Sequence, residues 1–142
     1  MPEIRHYLTI QAPVDKVFRA ISTQDGLRGW WTDGATAEPK EGTHAEFRFG
    51  DRYHNKMLVR RLDSPKRVEW ECLMGDEEWM GTTFVFELEP HAEGTAVRFE
   101  HGKWRKMTDF FASCNYNWGY YMRSLKLFCE TGQGTPFDSS EK

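Results

Sequence analysis

The chain has little of what the common catalytic and structural chemistries require. It holds only three cysteines in 142 residues, Cys72, Cys114 and Cys129, with no C-x-x-C pair, so neither a disulfide framework nor a zinc ribbon is indicated. Cys114 and Cys129 are 15 positions apart, roughly 22 Å along a helix at about 1.5 Å per residue, too far for one bridge. Unpaired, buried thiols fit a reducing cytoplasm, and that location is expected. No apolar run approaches the ~18 residues from which a membrane helix is read. The charged start, Met1 to Tyr7, lacks the pattern of an export signal, so the expectation is a soluble, non-exported protein that does not engage membranes. Charge of one sign is also missing. The 19 basic and 22 acidic residues are interspersed and sum to -3, which gives nucleic acid no basic stripe to follow.

Catalytic and metal-binding signatures are equally scarce. His6, His44, His54, His91 and His101 are scattered without an H-x-x-x-H or H-E-x-x-H spacing, so no metal and no cofactor are expected. There is no Ser-His-Asp order, no Cys-His pair and no glycine-rich loop to cradle phosphate. Glu69, Glu71, Arg98 and Glu100 alternate with core-facing residues and should point to solvent. Nothing here assembles a catalytic set, and a non-enzyme is the expectation.

Hydrophobic alternation, by contrast, is abundant. Ile4, His6, Leu8 and Ile10 keep the period of a half-buried strand, ended by Ala12-Pro13. Pro13 and Asp15 open a helix with Val14, Val17, Phe18 and Ile21 on one face, since proline suits a first turn and an acid suits the positive helix end. A second brief helix follows and finishes at Trp30-Trp31. Five strands are predicted after it, Thr43 to Phe49, Tyr53 to Leu62, Arg67 to Met74, Thr82 to Glu89 and Thr95 to His101. Their separators, Gly50-Asp51, Asp63-Ser64-Pro65, Gly75-Asp76 and Glu93-Gly94, are turn-formers, and an antiparallel meander is the simplest arrangement. Lys103 to Met107 reads as a polar, exposed link.

One long helix from Thr108 to Thr131 closes the fold. Phe111, Cys114, Trp118, Tyr121, Met122, Leu125 and Cys129 fall within a narrow arc of its surface, capped by Thr108 or Asp109 before it and Gly132 after it. Asn115 lies at the rim of this arc, a polar group of the kind that borders a cavity. Tyr116, Tyr120 and Leu127 form a stripe on the other face, either a homodimer or partner contact or three hydrated surface side chains.

The order of these elements, with Ala12-Pro13, Val17-Phe18, Ala20-Ile21, Leu27, Trp30-Trp31, Pro65, Arg67-Val68, Trp70, Gly94-Thr95, Val97, His101, Trp118-Gly119 and Leu125, resembles the START/Bet v 1-like (SRPBCC) superfamily. Within it the chain is most similar to the family named for the activator of Hsp90 ATPase, in its bacterial form. The resemblance spans about residues 3 to 131. It implies an α+β helix-grip fold, a curved antiparallel sheet of six or seven strands wrapped around the long C-terminal helix, with two short helices after the first strand. The expected organisation is one such domain over residues 1–137 and a disordered tail over 138–142. The resemblance further implies a cavity between sheet and helix suited to a mostly apolar small molecule, and no fixed catalytic set.

The expected function is therefore binding of a small hydrophobic ligand, lipid-like or aromatic, by Trp30, Trp31, Trp70, Phe86, Phe99, His101, Asn115, Trp118, Tyr121 and Met122. Six Trp, five Tyr and ten Phe are enough to fill much of that space, so a small or partly closed pocket is expected. Trp30-Trp31 either gates the mouth or places one ring inside and one at the surface. His101 either moves a proton for a cyclase- or dehydratase-like reaction or satisfies a neighbour at the sheet end. Asn115, Tyr121, Tyr53 and Arg61 are the other polar groups that reach inward. A chaperone or other protein-interaction domain is the third reading, since fold does not fix function.

Overall fold

A computed structural model describes every residue except Glu93 and residues 140–142. Strand β1 (Ile4–Ile10) is followed by helices α1 (Val14–Ser22) and α2 (Gln24–Trp30), strands β2 (Gly34–Thr36), β3 (His44–Phe49), β4 (Tyr53–Asp63), β5 (Arg67–Met74), β6 (Thr83–His91) and β7 (Gly94–Gly102), and helix α3 (Asp109–Thr131). The seven strands form one sheet in the order β1-β7-β6-β5-β4-β3-β2, every pair antiparallel. The helix-grip expectation holds, with seven strands. The extra one, β2, is three residues long and pairs Ala35 with Phe47; a segment that short carries no readable alternation.

Curvature has a local cause. Register shifts interrupt the β4–β5 ladder at Lys56/Met57 and Val59/Arg61, and such irregularities bend a strand and increase its twist. The concave face presents Phe47, Val59, Val68, Trp70, Phe84, Phe86, Val97 and Phe99, all buried. The convex face carries cross-strand ion pairs, Arg60 with Glu71 at 2.7 Å, Arg67 with Glu87 at 2.7 Å and Arg98 with Glu89 at 3.0 Å. Side chains of this alternation leave one face for the helix and one for water.

Helix α3 is held at both ends. Thr108 accepts a hydrogen bond from the Phe111 amide at 3.1 Å, satisfying one of the free N–H groups of the first turn. Gly132 takes φ 87°, the left-handed conformation that ends the helix. Its buried arc matches the predicted one, with Tyr121 half-buried at the edge. Ser124 belongs to the arc as well, donating to the Trp30 carbonyl at 2.7 Å, so a hydroxyl ties α3 to α2. Gly26 completes the contact between the two short helices: a Cβ there would lie 2.6 Å from the Ala20 Cα and carbonyl oxygen.

One expectation about a linker is corrected. The link 103–107 is not wholly exposed, because Trp104 is 1% exposed and packs edge-on against Phe111 with ring centroids 5.0 Å apart. It plugs the end of the barrel-like curl beside His101. The separator Glu93-Gly94 falls partly outside the described residues at Glu93. Of the expected tail, 140–142 also lie outside them, while Ser139 donates from both its amide and its hydroxyl to Asp33. Among the described residues no helix is long and apolar enough to cross a membrane.

Candidate ligand cleft

Phe137 pairs with the Thr32 backbone and brings its ring to Phe49, centroids 5.6 Å apart. Beside it, between α3 and the ends of β3, β4 and β5, an open cleft of about 320 Å³ enters the grip. From α3 it is lined by Phe110, Ser113, Cys114, Asn117, Trp118 and Tyr121. These positions recur every three or four residues and so share one flank of the helix. From the sheet side come Trp31, Phe49, Trp79, Arg52, Tyr53 and Asn55, with Asp76 at the turn after β5.

The aromatic walls are packed against a deeper layer. Trp31 stands at the centre: it stacks on Trp30 and on Trp70, each at 5.9 Å, and leans on Trp118 at 5.2 Å. Phe86 and Phe99 lie beneath, in ring contact with Trp70 and Trp118 respectively. Of the ten residues expected to bind ligand, Trp31, Trp118 and Tyr121 line the cleft. Trp30, Trp70, Phe86, Phe99 and Met122 are buried under it. Both members of the Trp30-Trp31 pair are interior, and Trp30 donates to the Ala20 carbonyl at 2.8 Å, so neither is a surface ring.

Asn115 is exposed and does not border the cleft. At about 100° per residue it falls on the opposite flank of the buried arc from Asn117. That opposite flank faces β1: a Cβ on Gly119 would lie 3.6 Å from the His6 ring, and Lys126 donates to the Thr9 carbonyl at 2.5 Å. Arg61 is also turned away, 3.6 Å from Asp63, whereas Tyr53 is on the cleft rim.

His101 is completely buried and fully used. The Trp118 indole N–H, which can only donate, meets His101 Nδ1 at 3.2 Å. Nδ1 therefore carries no proton, and Nε2–H donates to Thr82 Oγ1 at 2.9 Å. Thr82 in turn donates to the Trp79 carbonyl at 2.6 Å. Burial pushes the imidazole well below its ordinary value of 6.5, because a charge there would lose its water. The result is a neutral ring that fixes Trp118 and the Trp79 turn, two walls of the cleft.

Cys114 is similarly quiet. Its sulfur accepts from Trp79 Nε1 at 3.4 Å, and burial pushes the thiol up to about 11, far from the thiolate that nucleophilic chemistry requires. Burial also raises the Tyr121 phenol, with Tyr120 beside it adding to the shift. Among the described residues no three His, Cys, Asp or Glu side chains are grouped to hold a metal ion.

Asn55 is the polar exception in the wall. It is the first inward-facing residue of β4, 4% exposed, its amide opens onto the cleft, and it makes no side-chain hydrogen bond among the described residues. The alternation of β4 makes Asn55 readable as inward. Trp79 and Phe110 escape a strand-and-arc reading because one sits in a turn and the other at the edge of the helical stripe, although Phe110, Cys114, Asn117 and Tyr121 do repeat at helical spacing.

Fold and cleft together define a helix-grip protein with an aromatic-walled opening between sheet and last helix. Residues 11–130 match the family described as Activator of Hsp90 ATPase homolog 1-like protein, and the chain belongs to that family. Among solved structures, the Aha1 dimer from Colwellia psychrerythraea is 37% identical, with a TM-score of 0.85 over 94% of this chain and 100% of that one. SSP2350 from Staphylococcus saprophyticus shares the fold at 15% identity, with a TM-score of 0.79 over 94% of this chain and 96% of that one. DynU16, a protein of the dynemicin biosynthetic locus, is 20% identical with a TM-score of 0.76, over 93% of this chain and 48% of that one. No curated protein matches the sequence.

Proposed function

We propose that the chain is a cytoplasmic binding module, a single domain over residues 1–137, that takes a small, mostly apolar molecule into the cleft. The observation that carries this reading is an opening of about 320 Å³ onto which Trp31, Trp79 and Trp118 face while being held from behind by other groups. Ligand sites are concave, largely apolar and pre-formed, with volumes from about 300 Å³ upward, and rings fixed in place lose little entropy on binding. Three buried free thiols support the cytoplasmic assignment. Acid–base catalysis has less support, since both nitrogens of His101 are engaged and its charged form is disfavoured.

The test uses native mass spectrometry of the purified protein and thermal shift against fatty acids, sterols and aromatic polyketides. A retained hydrophobe or a raised Tm is expected, reduced by Trp118→Ala and by Ser113→Trp, which fills the cleft from an exposed helix position. Clean apo protein with no shift against any of these sinks the reading.

A homodimer is the second proposal, favoured by the dimeric Colwellia relative. Tyr116 and Tyr120, 80% and 52% exposed, are one helical turn apart on the outside of α3, beside the cleft. Leu127, the third member of the predicted stripe, is half-buried. Sedimentation velocity is expected to give a dimer for the wild type and a monomer for the Tyr116→Glu, Tyr120→Glu double variant. A monomeric wild type would leave the tyrosines to another protein, and an effect on a chaperone ATPase would then favour the interaction reading suggested by the family description.

A further inference from the structure

The cleft is unevenly polar. In its lining stand Asn55, with no side-chain hydrogen bond among the described residues, and Arg52, exposed on the turn between β3 and β4. Among the described residues the Arg52 guanidinium has no carboxylate within ion-pair distance, whereas Arg60, Arg67 and Arg98 on the convex face each meet a glutamate. Asp76 also stands at the rim, its Oδ1 accepting the Glu78 amide at 2.9 Å. Asn117 adds a second amide from α3. Room for Asn55 is made by Gly75, where a Cβ would come 2.5 Å from Oδ1.

An inward strand position held by an amide rather than a methyl or ring gives up apolar packing and leaves a polar group at the cleft surface, whose partner must come from water or from a ligand. A ligand group can supply that partner. Beside a guanidinium with no carboxylate partner among the described residues, the matching group is an acceptor bearing negative charge, since charge-assisted hydrogen bonds are the stronger ones and arginine's fork fits flat oxyanions.

We propose that the cleft selects an aromatic or polycyclic acid, its ring system against Trp31, Trp79 and Trp118 and its anionic group against Arg52 and Asn55. This rests on the binding reading above and adds the chemical class of the guest.

The matched probes are 1-anilinonaphthalene-8-sulfonate and N-phenyl-1-naphthylamine, which share a ring system and differ by the sulfonate. Fluorescence titration at fixed salt is expected to show the sulfonate bound about fivefold more tightly, the scale of one partly exposed charged hydrogen bond. Arg52→Gln should abolish that preference, bringing the sulfonate's affinity down to that of the neutral probe. Asn55→Leu should also weaken the sulfonate, while its Tm stays level or rises because an apolar side chain suits the inward position; Arg52, on an exposed turn, can be changed without disturbing the core. Equal affinities in the wild type, or equal losses for both probes in Arg52→Gln, overturn the anion selection and leave cleft binding standing. Probes that bind neither wild type nor variant, or that ignore Ser113→Trp, overturn the binding reading itself and this inference with it.

Discussion

Trp118 and His101 fix one another, and the consequence can be measured in acid. The folded imidazole sits well below 6.5 because it is buried, while in the unfolded chain it titrates near 6.5. Between those two values the unfolded state holds one more proton, so stability rises with pH there. The contribution is complete above 6.5 and is lost as the pH falls below it, at about 1.4 kcal/mol per pH unit until the folded value is reached. Denaturant titrations of the wild type and of His101→Gln are expected to differ by that slope between pH 6.5 and 5. Parallel pH profiles would mean that the histidine does not titrate as described. At this scale the sequence was only half legible: alternation placed His101 on the inner face, but the Trp118 and Thr82 side chains that saturate it come from α3 and from the edge of β6, contacts that no local pattern encodes.

The elements pack so closely in one place and so loosely in another that the same substitution has opposite signs. Glycine in a helix ordinarily costs about 0.5–1 kcal/mol relative to alanine. In α2, Gly26→Ala would drive a Cβ to 2.6 Å from the α1 backbone at Ala20, an overpacking that costs about 1–3 kcal/mol and outweighs the gain in propensity. In α3, Gly119→Ala meets only the edge of the His6 ring at 3.6 Å, ordinary contact, so the propensity gain survives. Thermal unfolding should therefore rank Gly119→Ala above wild type and Gly26→Ala below it. Long, strongly periodic elements such as α3 and β4–β7 could be predicted from their sequence because burial of one face dictates the pattern. Strand β2 and the Trp104 segment could not, since each is too short for a period and owes its position to tertiary cover. The cleft-facing flank of α3 was hidden for a related reason: Ser113 and Asn117 interrupt its aromatics, so the stripe reads as half surface.

At the scale of the molecule, the cleft is where the grip fails to close. The sheet curls, α3 lies across it, and Trp104 fills one end, leaving the other end to Phe137 and the turns after β3 and β5. Phe137 is attached by backbone bonds to Trp31 and Asp33 at 2.9 and 3.1 Å, so its ring is a strap over the mouth. Phe137→Ala is expected to release N-phenyl-1-naphthylamine about threefold faster in stopped-flow fluorescence with little change in association, since affinity within one site is set mainly by escape. Unchanged release would show that the strap does not cover the bound probe.

The indole stack behind that mouth has an optical consequence. Trp30, Trp31 and Trp70 lie nearly parallel, with interplanar angles of 15° and 10° between successive rings and centroids 5.9 Å apart. Chromophores held this near in one fixed arrangement share their excited states, so the near-ultraviolet circular dichroism should carry a coupled tryptophan signature rather than a sum of separate bands. Trp31 belongs to both the stack and the cleft wall, and any guest seated against it will alter that signature without a dye or label.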